Sequence, residues 1–178
     1  MRILIVYGTT EGHTRHLCGF MEGALREAGH EAVPRDASRE PEGPAGFDAA
    51  ILAGSVHVGR YQAALVDYAA THHAALEAMP NAFVSVSLSA AGENPQDWAG
   101  LEECLARFRQ ETGWTPGAVH HAAGAIRYSH YDFFKRLALK YIAHKRGQET
   151  VTSRDYDLTD YAALKAFAED FAANAGQP

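Results

Sequence analysis

The most restrictive feature of this chain lies at its start. An unbroken apolar run, Ile3-Leu4-Ile5-Val6, ends at Tyr7, gives way to Gly8-Thr9-Thr10-Glu11-Gly12, and is followed by a helical pattern over 13–28. An apolar run without polar alternation is buried on both faces, as in a central strand of a parallel sheet. Gly29 then stands where a helix-ending glycine is expected. The unit recurs along the chain. Residues 30–36 predict a weaker second strand, and 37–46, with Pro41, Gly43, Pro44 and Gly46, a loop or single turn. A buried third strand covers 48–53 and ends at Gly54-Ser55. A helix over 62–78 stops before Pro80, and a fourth strand covers 82–88. A loop over 89–97 leads into a helix over 97–112 closed by Gly113, and a fifth strand covers 118–123. Strand and helix in alternation predict an α/β fold, a doubly wound parallel sheet with helices on both faces and strand order 2-1-3-4-5. Residues 1–178 read as a single domain. Residues 127–158 form an insertion between the fifth strand and a closing helix over 161–173.

Composition narrows the class. With 178 residues, 47 % hydrophobic and 21 % charged, the chain suits one globular domain and excludes a disordered or disulfide-scaffold protein. Cys18 and Cys104 form no CxxC pair, which argues against structural zinc or an iron–sulfur cluster and fits a reducing compartment. The pairs His72-His73 and His120-His121 lack the i, i+4 spacing of helical metal ligands, so no metal is expected. A net charge of −6 gives no electrostatic reason to expect nucleic acid. The first residues do not read as a signal peptide, and no apolar run reaches membrane-spanning length.

In open parallel sheets, ligands bind beyond the carboxyl ends of the strands. Here Thr9, Thr10, Glu11, Gly12, His13 and Thr14 join the first strand to the first helix. Backbone amides, the helix dipole and three threonine hydroxyls would meet a phosphate there. The loop lacks the lysine of GxxxxGK[ST] and also lacks GxGxxG, so a nucleoside triphosphate or dinucleotide is disfavoured. A helix cap with threonines fitting the turn would produce the same residues.

The stretch Ile5-Val6-Tyr7-Gly8-Thr9-Thr10-Glu11-Gly12-His13-Thr14 resembles the FMN-phosphate signature of flavodoxins, with Cys18 where alanine is usual. A wider resemblance covers almost the whole chain. Residues 53–61, 79–88, 123–128 and 147–150 are similar to the flavodoxin-type, quinone-dependent protoporphyrinogen oxidases of bacteria, which also carry an insertion after strand five. The resemblance implies a flavodoxin-like fold and FMN held by the loops after strands one, three and four. On this chain those loops offer Ser55, Val56, His57, Val58 and Gly59, and Ser87, Leu88, Ser89 and Ala90, beside the 9–14 loop. It further implies oxidation of protoporphyrinogen IX to protoporphyrin IX, a step of heme biosynthesis, with a quinone as acceptor. No side chain is assigned as catalytic. The third loop carries no aromatic, which leaves a ring face open to a bulky substrate, and Trp98 is expected to pack its helix against the sheet.

Residues 126–154 carry seven basic and two acidic side chains, which leaves the remainder at −11. Residues 132–147 read as a basic amphipathic helix, suited to an anionic membrane surface, to substrate propionates, or to solvent alone. Tyr61, Arg127, Tyr128, Lys135, Arg136 and Lys140 are the candidate substrate or partner contacts. The expected location is cytoplasmic, at most peripheral on the inner face of the cell membrane, and a homo-oligomer stays open. The competing class is a flavodoxin electron carrier that turns over no small molecule. An NAD(P)H:quinone reductase is disfavoured by the lack of a nucleotide motif.

Overall fold

A computed structural model describes residues 1–126 and 156–176. In chain order the elements are β1 (Arg2–Gly8), α1 (His13–Glu27), β2 (Glu31–Asp36), β3 (Ala49–Ser55), α2 (Ala63–Glu77), β4 (Asn81–Ser87), α3 (Pro95–Thr112), β5 (Ala118–Ala123), β6 (Ala125–Ile126), β7 (Tyr156–Asp157) and α4 (Tyr161–Ala175), with 3-10 turns at Ala37–Arg39 and Ser89–Ala91. The five long strands form one parallel sheet in the order β2-β1-β3-β4-β5, as expected. The Asp132–Gly147 helix, the insertion up to residue 155, and Arg127, Tyr128, Lys135, Arg136 and Lys140 lie outside the described residues.

The apolar runs split their side chains between two cores. Ile3, Ile5 and Tyr7 face Leu17, Met21 and Leu25 of α1 and Leu164, Ala168 and Phe171 of α4. Leu4, Val6, Leu52 and Phe83 face Leu65, Tyr68 and Leu76 of α2 and Leu105 and Phe108 of α3. On that second side Phe83 and Phe108 stack at 4.8 Å, and the Tyr61 ring meets Phe83 edge-on at 5.0 Å.

Boundaries differ from expectation by one or two residues along the chain. α3 begins at Pro95 instead of 97, because the Asn94 side chain accepts the Gln96 amide at 3.0 Å and proline suits the first helical position. α4 runs to Ala175. Beyond β5, β6 and β7 form an antiparallel pair that was not expected, with Ala125 opposite Asp157 and Ile126 opposite Tyr156. Strands of two residues leave no sequence signature.

The topology fixes where a ligand can sit. The chain leaves β1 to one side for β2 and returns to the other side as β3, so the ends of these neighbours diverge and leave a crevice. Gly8 and Gly54 are paired across it. A Cβ on Gly54 would lie 2.6 Å from Leu65 Cδ2 and 3.0 Å from Tyr61 Cδ1, and one on Gly8 would lie 3.0 Å from Gln62 Cβ. Bare backbone at both positions lets the start of α2 close against the strand ends. Gly54→Ala is therefore expected to lower the unfolding free energy by about 1–3 kcal/mol, since Leu65 is fully buried and cannot retreat. Urea denaturation measures this, and an unchanged midpoint would show that the approach is looser than the geometry states.

Candidate functional site

The cleft at the carboxyl ends of β1, β3, β4 and β5 encloses about 680 Å3, counting the solvent at its mouth. It is lined by Thr9, Thr10, Glu11, His13 and Thr14 from the first loop and helix, by Ser55, Val56 and His57 after β3, and by Val86, Ser87 and Leu88 after β4. Gly124 and Ala125 complete the wall after β5; they belong to the 123–128 stretch that carries the resemblance, which did not assign them to the site.

The first loop is built to leave donors pointing into the cleft. Gly12 sits at φ +84°, a left-handed conformation that favours glycine, and no atom crowds the space its Cβ would occupy. Its role is the turn. Its amide donates to Thr9 Oγ1 at 2.9 Å. No side chain caps α1 and no acidic residue lies in its first turn, and His13 and Thr14 bring the positive end of the helix to the cleft wall. Thr14, in that first turn, is wholly buried, and its hydroxyl has no hydrogen-bond partner among the described residues. An unpaired buried hydroxyl costs about 1–3 kcal/mol.

Gln62 organises the remaining hydroxyls. Its Nε2 donates to Ser55 Oγ at 2.7 Å and to Thr10 Oγ1 at 3.1 Å, while its Oε1 accepts the Ser55 amide at 3.3 Å. Ser87 Oγ accepts the Ala90 amide at 3.1 Å. Thr9, Thr10, Ser55 and Ser87 thus each accept from one side and keep a hydroxyl proton to donate. With Thr14 they make five hydroxyl donors around one cleft, with no lysine or arginine among the described lining residues. That set suits an acceptor-rich anion such as a phosphate ester.

The second loop is a tight turn. His57 and Arg60 exchange backbone hydrogen bonds of 2.8 and 3.1 Å, with Val58 at φ +50° and Gly59 at φ +71° between them. The Gly59 carbonyl accepts from Arg107 Nη1 at 3.1 Å and from Cys104 Sγ at 3.4 Å, which pins the tip to α3. His57 lines the cleft, but Val58 and Gly59 do not. Gly12, Ser89 and Ala90 likewise lie outside the lining. The Tyr61 assignment is corrected. It is buried in the α2–α3 core, its hydroxyl paired with Ser85 Oγ at 2.8 Å, and burial pushes its pKa up to about 12. Trp98 of α3 packs edge-on against His121 of β5 at 5.5 Å, in line with the expected contact between its helix and the sheet. It is 36 % exposed and donates Nε1–H to the Gly92 carbonyl at 2.8 Å, so it braces the loop after β4.

The return segment closes the remaining side. Leu158 N donates to the Gly124 carbonyl at 3.2 Å, Thr159 Oγ1 donates to the Ala123 carbonyl at 2.8 Å, and His13 Nε2 lies 3.0 Å from the same Thr159 oxygen. Burial alone would raise the Asp157 pKa. Hydrogen bonds from the Tyr161 hydroxyl and the Thr159 amide instead hold the carboxyl below its ordinary range. Among the described residues there is no cluster of metal-ligating side chains, and no helix is long and apolar enough to cross a membrane.

A family model described as a flavodoxin domain matches residues 4–153. A protoporphyrinogen IX dehydrogenase (quinone) of Leishmania major is 33 % identical over 177 residues, spanning 97 % of this chain and 75 % of that protein. A protein of the same name from Escherichia coli strain K12 is 30 % identical over 175 residues, spanning 97 % and 95 %. Among solved structures, oxidised flavodoxin 1 from Bacillus cereus superposes with a TM-score of 0.57 at 14 % identity, covering 97 % of this chain and 98 % of that one, a likeness of fold.

Thr14→Val keeps the shape of the side chain and removes the orphaned hydroxyl. The ligand-free chain is expected to gain roughly 1 kcal/mol in stability from relief of the unpaired group. A loss of stability in chemical denaturation would mean that the hydroxyl is paired within the protein.

Proposed function

We propose that this chain, which belongs to the flavodoxin family and is an FMN-dependent oxidoreductase, oxidises protoporphyrinogen IX to protoporphyrin IX and delivers the electrons to a quinone. The observation that carries the cofactor half is the buried, unpartnered Thr14 hydroxyl, set in a ring of hydroxyl donors at the open end of α1. Flavodoxins are among the cases from which the switch-point rule for ligand position was drawn, so the position adds no independent support. The donor set does. The names of curated relatives that match over nearly the whole chain support the substrate and acceptor.

FMN, when bound, supplies the two-electron redox chemistry. Thr9, Thr10, Thr14 and the first-turn amides of α1 hold the phosphate with fixed dipoles. Ser55, Val56 and His57 on one side and Ser87 and Leu88 on the other receive the flavin. The described lining carries no Tyr, Trp or Phe. This leaves room for a macrocycle where an electron carrier of this family would stack an aromatic ring. The basic stretch 126–154 supplies charges suited to propionate carboxylates or to anionic lipid at the quinone pool, and in this reading it is an insertion in a single domain.

Two measurements test the reading. The purified chain is expected to bind FMN more tightly than riboflavin, and Thr14→Val to weaken FMN by roughly 1–3 kcal/mol while sparing riboflavin. Equal affinity for the two flavins would remove the phosphate assignment. Anaerobic mixing with protoporphyrinogen IX and a soluble quinone should generate porphyrin fluorescence that depends on both FMN and the quinone. FMN binding without porphyrin formation would point to the electron-carrier class instead.

A further inference from the structure

We propose that the Gln62 side chain couples the two halves of the flavin site: a phosphate bound by the 9–14 loop tightens the hold of the loop after β3 on the ring, and the reverse. The inference rests on the FMN reading above and adds a positioning residue to it. Gln62 is not itself among the residues that line the cleft, so it acts through Thr10 and Ser55, which are.

Donor accounting fixes the direction of each hydrogen bond. The Ser55 amide can only donate, so the Gln62 atom that it meets at 3.3 Å is the carbonyl oxygen Oε1. Nε2 then faces Ser55 Oγ at 2.7 Å and Thr10 Oγ1 at 3.1 Å and donates one proton to each. Both amide protons are thereby used. Because Thr10 and Ser55 accept from Gln62, their own hydroxyl protons are left for an acceptor in the cleft. The bonds run one way, from the Ser55 N–H to Gln62 Oε1 and from Gln62 Nε2–H to Thr10 Oγ1, with the Thr10 O–H remaining for an anion.

Aligned donors of this kind polarise one another. An anion that accepts from Thr10 makes Oγ1 a better acceptor for Nε2–H. The Gln62 amide then becomes a better acceptor for the Ser55 N–H, so Ser55 is held more firmly at its backbone and at its hydroxyl. Ordering adds to polarisation. The Gln62 backbone is fixed at the start of α2, where its carbonyl accepts the Leu65 and Val66 amides at 3.0 and 3.1 Å, and Leu65 is wholly buried. From that anchor the side chain ties an exposed Thr10 to a half-buried Ser55. A ligand that immobilises one loop leaves the other with less freedom to lose. The coupling is reciprocal, because both half-sites bias the same bridge.

The test offers riboflavin and inorganic phosphate to the flavin-depleted full chain, at constant ionic strength set with chloride. Riboflavin affinity is read by quenching of flavin fluorescence and phosphate affinity by calorimetry. Saturating phosphate is expected to tighten riboflavin binding by the wild type about fivefold to tenfold, and riboflavin to tighten phosphate by the same factor. Gln62→Met keeps the length of the side chain and removes all three hydrogen bonds. Gln62→Glu keeps an acceptor for the Ser55 amide and has no proton for Thr10. Both variants are expected to bind riboflavin with an affinity that phosphate no longer changes. A purely structural role for Gln62 would lower the separate affinities and leave the coupling factor as it is in the wild type, so either variant keeping that factor would overturn the proposal. A wild type that prefers FMN to riboflavin, yet binds riboflavin equally well with and without phosphate, would overturn this proposal alone. Riboflavin bound as tightly as FMN would overturn the cofactor reading and this proposal with it. The wild-type arm needs no substitution, and urea midpoints show which of the two variants keeps the fold.

Discussion

Gly8 and Gly54 sit side by side where β1 and β3 part, and the rest of the site depends on their lack of side chains. Only bare backbone leaves room for Leu65 and Gln62, whose atoms lie about 3 Å from where a Cβ would stand. Leu65 packs into the α2–α3 core, while the Gln62 amide binds Ser55 and Thr10 at once. A packing constraint at two glycines thereby becomes a hydrogen-bond constraint on two loops, and the orientation of the hydroxyl donors follows from it.

The cradle works without a lysine because its dipoles are fixed before a ligand arrives. Each of four hydroxyls is committed as an acceptor on its protein side, and the first turn of α1 has no acidic side chain or cap to compete for its amides. The turn over 57–60 contributes in another way. Val58, a β-branched residue at φ +50° and 89 % exposed, occupies a conformation that costs on the order of 1–3 kcal/mol. It persists because the backbone pair of His57 and Arg60, the Val56 amide on the Val86 carbonyl and the anchors on the Gly59 carbonyl leave the loop no alternative. The outcome is that His57 stands at the cleft.

The sheet could be read from the sequence because burial on both faces writes unbroken apolar runs, and the 9–14 loop because it follows the first of them directly. Asn94-Pro95 read as loop, although it is the cap and first residue of α3; proline punctuates a sequence whichever way the chain turns next. Tyr61 was misplaced because adjacency to a binding loop says nothing of the side to which a ring points, and its contact with Phe83 of β4 appears only with the sheet. Gln62 was missed altogether. Its partners lie 7 and 52 residues away along the chain, and no local pattern marks a glutamine that bridges two loops. Gly124 and Ala125 bring only backbone and a methyl group to the wall, so no chemistry announced them. The basic stretch was visible as charge, but charge alone does not say what it meets.

A crystal structure of the full chain with FMN bears most directly on the phosphate cradle. The phosphate oxygens are expected within hydrogen-bond distance of Thr14 Oγ1 and the first-turn amides of α1, with Gln62 still bridging Ser55 and Thr10. A phosphate seated elsewhere, with the Thr14 hydroxyl left unpaired in the complex, would contradict the assignment of this cleft.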